Sequence, residues 1–143
     1  MNKVVVRTAQ GEVLKGYTGD FSRHRSSFLL TIEDGAIRIN QNIEMKDLKA
    51  IFFVKTFEGN FLHKTMNYFK GDTSYGKKVL VTFKDGEKFY GRVEGMHSDP
   101  EHIGFFIFPL DTNSNTIRAF VINNFIDDIQ SMDLEPDSLL SGD

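Results

Sequence analysis

The densest chemistry in the chain sits in one short stretch, Asp20-Phe21-Ser22-Arg23-His24-Arg25-Ser26-Ser27. Two guanidiniums, an imidazole and three hydroxyls can hold a phosphate or carboxylate, with arginine supplying paired donors. Asp20, Ser22, Arg23, His24, Arg25 and Ser26 therefore form the candidate anion-binding set. The plainer alternative is a solvated loop in which Asp20 and Ser22 bond nearby backbone. Charged loops are common, which favours that alternative. His97, Asp99, Glu101 and His102 are metal-ligand types within six positions. Asp99-Pro100 marks a turn there, and no helical His spacing supports convergence, so no metal site is assigned. Asp127 and Asp128 are adjacent, and adjacent strand residues point to opposite faces, so they cannot share one substrate. There is no Gly-x-Ser-x-Gly elbow, no phosphate-binding glycine loop before a helix, and no cysteine nucleophile. The expectation is a protein without catalytic activity or cofactor.

These side chains need a scaffold, and composition bounds it. The 143 residues suffice for one ordinary domain or two very small ones. Fourteen Phe and no Trp suit a tightly filled β core. The absence of cysteine excludes disulfides and thiolate metal sites, and for so small a protein points to a reducing cytoplasm. The start, Met1 to Arg7, has too short an apolar stretch for a signal peptide, and Ala50–Val54 and Ile103–Leu110 are too short to span a bilayer. Charge is uneven: residues 1–56 carry nine Lys/Arg against six Asp/Glu, whereas residues 77–143 carry six against twelve. An excess of three positive charges is too small a footprint for duplex DNA. The asymmetry can steer the two parts towards each other or towards different partners.

An internal repeat organises the chain. Val4-Val5-Val6-Arg7-Thr8-Ala9-Gln10-Gly11-Glu12-Val13-Leu14-Lys15-Gly16 aligns with Val79-Leu80-Val81-Thr82-Phe83-Lys84-Asp85-Gly86-Glu87-Lys88-Phe89-Tyr90-Gly91 at an offset of 75. Both read as a hairpin with Gly11 or Gly86 in the turn, which Asp-Gly chemistry assigns to type I′. Gly16 and Gly91 fall inside strand-like sequence, where glycine marks a bulge or sharp bend. The match continues through Ser27–Ile32 with Gly104–Pro109, Ile37-Arg38-Ile39 with Ile117-Arg118-Ala119, and Leu48–Ile51 with Ile126–Ile129. Each half thus offers about five short strands. Phe52-Phe53 and Phe105-Phe106 place aromatics on both strand faces. One face fills a core, and the other meets the connector, the other half or a partner chain.

The halves resemble the small five-stranded barrels of the Sm-like and SH3-like kind. In the first half, Gly11, Gly16 and Asp20 stand where the first Sm motif has its glycines and aspartate. Basic residues around His24 replace the RNA-binding Asn, and no Gly follows Ile37-Arg38. The resemblance therefore implies the fold rather than the uridine site. Gly16-Tyr17-Thr18-Gly19-Asp20-Phe21-Ser22, with Phe28, and Leu48–Lys55 are also similar to an uncharacterised bacterial family of tandem small barrels. That family implies an association with cyclic-dinucleotide signalling domains of the PilZ type. Arg25 occupies the Gly position of the PilZ Asp-x-Ser-x-x-Gly element, and no Arg-x-x-x-Arg pair occurs, so the usual PilZ chemistry is not expected.

The resulting expectation is an all-β protein of two tandem five-stranded small barrels. The barrels cover residues 1–56 and 77–134, joined by a short, partly helical or irregular connector at 57–76 and followed by a disordered tail at 135–143. Phe57, Phe61, Leu62, Met66, Tyr68 and Phe69 suggest a connector docked on the barrels rather than free. The function expected is a non-enzymatic binding or adaptor module in bacterial signalling or regulation, cytoplasmic, with protein partners or a homodimer. The alternatives are a sensor of a nucleotide or other anion through residues 20–27, and RNA binding by the first half.

Overall fold

The computed structural model describes residues 1–58, 77–94, 102–111 and 113–132. The remainder of the connector (59–76), His97, Asp99 and Glu101 of the acidic loop, and the tail lie outside the described residues. The first half supplies β1 (Asn2–Thr8), β2 (Val13–Thr18), β3 (Ser27–Asp34), β4 (Ile37–Glu44) and β5 (Leu48–Val54). The second supplies β6 (Lys77–Phe83), β7 (Lys88–Val93), β8 (Gly104–Pro109), β9 (Thr116–Ile122) and β10 (Ile126–Ser131). A single 3₁₀ turn precedes β5 (Met45–Asp47) and another precedes β10 (Asn123–Phe125).

The repeated hairpins are equivalent residue by residue. Val4 pairs with Gly16 and Val6 with Leu14; Val79 pairs with Gly91 and Val81 with Phe89. The turns are not type I′. Gly11 and Gly86 have φ of 94° and 92°, and no other residue type has positive φ among the described residues. Gly11 N–H donates to Thr8 C=O, and Thr8 N–H donates to Glu12 C=O; Phe83, Gly86 and Glu87 repeat the pattern. This is the three-residue loop closed by a left-handed glycine bulge, in which only the glycine needs positive φ, so Gln10 and Asp85 are unstrained. Gly16 and Gly91 answer a different need. A Cβ on Gly16 would lie 2.5 Å from the Thr31 carbonyl oxygen, and one on Gly91 2.6 Å from that of Phe108. The third strand of each half crosses there at backbone distance.

The ten strands form one antiparallel sheet that does not close, in the order β10-β6-β7-β8-β9-β5-β1-β2-β3-β4. Each half has the same internal order, with its fifth strand beside its first and its fourth at the far end. The halves join where β5 pairs with β9, from Ala50 opposite Val121 to Phe53 opposite Arg118. The fourth strands align two positions away from the sequence expectation. Phe28 pairs with Ile43 and Phe105 with Val121, so Ile39 rather than Ile37 corresponds to Ile117. The β3–β4 ladder runs on to Asp34 opposite Ile37, which makes it longer than the β8–β9 ladder.

Two cores share the β5–β9 wall. Ile51 and Phe53 of β5 and Phe120 and Ile122 of β9 pack with Val4, Val6, Phe28 and Leu30. Ala50 of β5 and Ala119 and Val121 of β9 pack with Val79, Val81, Phe83 and Ile107, with Phe52 against them. Alternation explains the split, because neighbouring strand residues face opposite sides. Phe52-Phe53 and Phe105-Phe106 spend both faces this way: Phe53 and Phe106 go to the first core, Phe105 and Phe52 to the second.

Candidate functional site

The 20–27 loop is built from inside outwards. Phe21 projects into the first core, with ring centroids 5.6 Å from Phe28, 5.3 Å from Phe53, 5.9 Å from Phe106 and 5.2 Å from Phe120. Asp20 closes the loop at its base: Oδ1 accepts from Leu29 N–H at 3.0 Å and from the buried Thr18 hydroxyl at 3.3 Å. Ser22 Oγ accepts from His24 N–H at 3.2 Å, and Ser22 C=O accepts from Arg25 N–H at 3.1 Å. The Ser26 carbonyl receives Met45 N–H at 2.8 Å. Ser22 is thus engaged in a local turn bond of the kind its side chain favours, whereas Asp20 ties the base of the loop to Leu29, nine residues on, and to Thr18.

Arg23, His24, Arg25 and Ser26 are exposed. Arg25 Nη1 lies 3.9 Å from Asp20 Oδ2 across two exposed side chains, an arrangement worth little in water. His24 packs edge-on to His102 of the second half, centroids 6.0 Å apart. Of His97, Asp99, Glu101 and His102 only His102 is described, and no group of three or more metal-ligating side chains converges among the described residues. Asp127 and Asp128 are both exposed on β10.

Sequence reasoning overlooked the chemistry at the joint. Arg7 pairs with Ala50 and Thr8 with Leu48, leaving Lys49 as the extra residue of a bulge. A bulge re-aims its side chain, and Lys49 turns towards the second half, only 4% exposed. Its ammonium donates to Asp85 Oδ2 at 2.7 Å and to Glu87 Oε1, and lies 4.8 Å above the Phe83 ring. The Lys49 ammonium hydrogen-bonded to Asp85 holds that carboxyl below the usual carboxylate range. The corresponding residue of the second half is Asp127, which a bulge between Ile126 and Asp128 also leaves unpaired. A cleft of about 270 Å³ opens beside this ion cluster, lined by Arg7, Gln10, Glu12, Lys49, Asp85 and Phe125. Its carboxylates balance its cations, and Lys49 and Asp85 are already paired.

Two further surfaces stand out. Tyr17 and Phe57 meet edge-on at 5.2 Å, with Lys3 6.0 Å from the Phe57 ring and Lys15 Nζ donating to the Phe57 carbonyl at 3.1 Å. At one end of the sheet, β4 pairs only with β3 among the described residues. There Ile37 and Ile39 are 62% and 48% exposed. Their alternation with Arg38 and Asn40 is legible in the sequence; that the strand ends a sheet is not.

The chain belongs to a family of unknown function, DUF6982, whose profile matches residues 1–133. Comparison with curated proteins and with solved structures finds no match. No helix among the described residues is long and apolar enough to cross a membrane.

Proposed function

We propose that this DUF6982 member is a non-enzymatic binding or adaptor module, in which two small Sm-like halves present strand edges to protein partners. One observation carries the reading: the ten-stranded sheet ends on two strands, β4 and β10, each paired on one side only among the described residues. An unpaired edge displays backbone donors and acceptors that another chain can complete. The halves themselves are joined by this same device, strand on strand. The described ionic chemistry also fits a scaffold, since Asp20 and Lys49 hold structure together. A cytoplasmic setting in bacterial signalling, beside PilZ-type domains, remains part of the proposal and rests on the sequence resemblance. Affinity capture with the tagged full chain from native bacterial lysate tests it. Recovery of the same stoichiometric protein in replicate captures supports an adaptor, and recovery of none refutes it.

A second reading, an anion or nucleotide sensor, is favoured by Arg23, which is exposed and makes no ion pair among the described residues. Calorimetric titration of nucleotides, cyclic dinucleotides and short RNA into wild type and an Arg23→Ala/Arg25→Ala variant tests it. Equal heats for both proteins, or none, remove that reading. Binding of RNA alone, lost on Tyr17→Ala, would instead favour the surface around Tyr17 and Phe57.

A further inference from the structure

The two edges of the sheet are not alike. β10 carries Asp127 and Asp128 exposed and is broken by a bulge between Ile126 and Asp128. Charge and a bulge are usual means by which an edge strand refuses a neighbour. β4 has no bulge, and its two charges, Arg38 and Glu44, are of opposite sign. Its residues run in unbroken register against β3, from Glu44 opposite Ser27 to Ile37 opposite Asp34. One face of β4 continues the first core. Ile43 is buried in that core, and Ile39 stands opposite the half-buried Ile32 at its rim, itself 48% exposed.

The sequence of β4 is complementary to itself. A two-fold axis between antiparallel copies keeps each face of the sheet on its own side, so only residues of the same parity can meet. With the axis at Gln41, Ile39 of each copy faces Ile43 of the other, Arg38 faces Glu44, Asn40 faces Asn42, and Gln41 faces Gln41. Apolar meets apolar, each cation meets an anion, and the amides can donate to and accept from one another. Moving the axis to Asn40 or Asn42 sets Gln41 against Ile39 or Ile43, and leaves Arg38 opposite Asn42 or Glu44 opposite Asn40. Within its own chain Arg38 meets Glu33, Nη2 to Oε2 at 3.5 Å between exposed side chains, a contact too weak to hold it.

We infer that the occupant of the β4 edge is a second copy of this chain, paired β4 to β4 about Gln41 so that the two sheets become one. Ile39 of each copy then extends the other's first core beside Ile43. The β10 edge is no substitute. Set on β4 as β5 is set on β9, it brings Asp128 opposite Ile43, and it leaves a free edge at each end, so copies add in an open chain rather than a closed pair. A foreign strand would need an acid, a base and two apolar residues at these same positions, and β4 already carries them. The seam is short, so the dimer forms at micromolar rather than nanomolar concentration. This inference goes beyond the adaptor reading and does not depend on it, since β10 of each copy is left as the outer edge.

Sedimentation of the full chain across a micromolar concentration series should show monomer passing to dimer, with amide exchange in β4 slowing in step. Arg38→Glu sets carboxylate against carboxylate at both ends of the seam, and Glu44→Arg sets guanidinium against guanidinium. Each variant alone should dimerise about tenfold more weakly than wild type. Mixed in equal amounts, the two recover both opposite-charge contacts, so native mass spectrometry should find the mixed dimer at near wild-type strength. Both side chains are exposed, so each variant should keep a melting temperature close to that of wild type. Ile39→Lys places an ammonium beside Ile43 and, independently of the charge pairs, should weaken the dimer by more than about tenfold. A chain that stays monomeric throughout, a dimer that Ile39→Lys leaves intact, or charge variants whose mixture associates no better than either alone overturns the inference. Lysate capture reads the adaptor separately. A monomer that retains a stoichiometric partner removes the dimer alone, and a dimer that retains none removes the adaptor alone.

Discussion

Phe120→Ala tests whether the two halves are one folding unit. Phe120 belongs by sequence to the second half, yet its ring is fully buried in the first core, 5.2 Å from Phe21 and 5.0 Å from Phe106. Truncating a buried Phe to Ala costs about 3–5 kcal/mol, from lost transfer free energy and the cavity left behind. Each edge-to-face aromatic pair is worth about 0.5–1.5 kcal/mol beyond burial, which places this site in the upper part of that range. For a chain of this size, the melting temperature should fall by about 10–20 °C. Urea unfolding followed by circular dichroism and by tyrosine fluorescence should give one coincident transition in both proteins. Native-state hydrogen exchange should show β1 and β3 of the first half losing protection along with β9. Two transitions, of which Phe120→Ala shifts only the one belonging to residues 77–132, would refute the shared wall.

Lys49→Met keeps the buried stem over Phe83 and removes the ammonium from Asp85 and Glu87, so the halves lose their ionic latch. Asp85 is depressed in the folded state, so its contribution is present above the unfolded value of about 3.9 and disappears as pH falls through the folded value. Urea titrations between pH 3 and 6 should show a shallower acid loss in the variant, by under about 1 kcal/mol because Asp85 is partly solvated; an unchanged slope would count against the latch. Gly16→Ala places a Cβ 2.5 Å from the Thr31 carbonyl and should cost about 1–3 kcal/mol, whereas Gly19→Ala, whose nearest neighbour is the Met1 side chain at 3.4 Å, should be close to neutral by thermal melting. Gly11→Ala meets no atom within 4 Å, so its cost of about 1–2 kcal/mol is backbone strain alone, and Gly11→Asn should recover part of it in the same assay.

The legible parts of the fold were those set by local chemistry. Gly11 and Gly86 sit in the turns that their neighbours announce, whereas Gly16 and Gly91, read as a bulge or sharp bend, lie in unbroken register and let the third strand of each half pass at backbone distance. The apolar run Ala50-Ile51-Phe52-Phe53 showed that both faces of that strand are covered, but not by what. Which edges meet is decided by residues more than sixty positions apart, and a single sequence carries no signal for that. Two local features also misled. A bulge turned Lys49 from an ordinary strand cation into the buried centre of the joint. The loop that carries the Arg and His chemistry is anchored by Phe21, its one apolar residue. The type I′ assignment failed because Asp-Gly and Gln-Gly also suit a bulged loop, which asks less of the residue before the glycine.

The wall shared by β5 and β9 also has a consequence for synthesis. β9 begins 62 residues after β5 ends, since β5 finishes at Val54 and β9 starts at Thr116. At about 5–20 residues per second, the amino-terminal half waits about 3–12 s on the ribosome before Phe120 and Ile122 exist to fill its core. Throughout that interval Ile51, Phe53 and Phe28 border an open cavity, and β5 offers a bare backbone edge. The first half therefore reaches its final core only after β9 has been made. The first half can be made early, but it is completed only by the ninth strand.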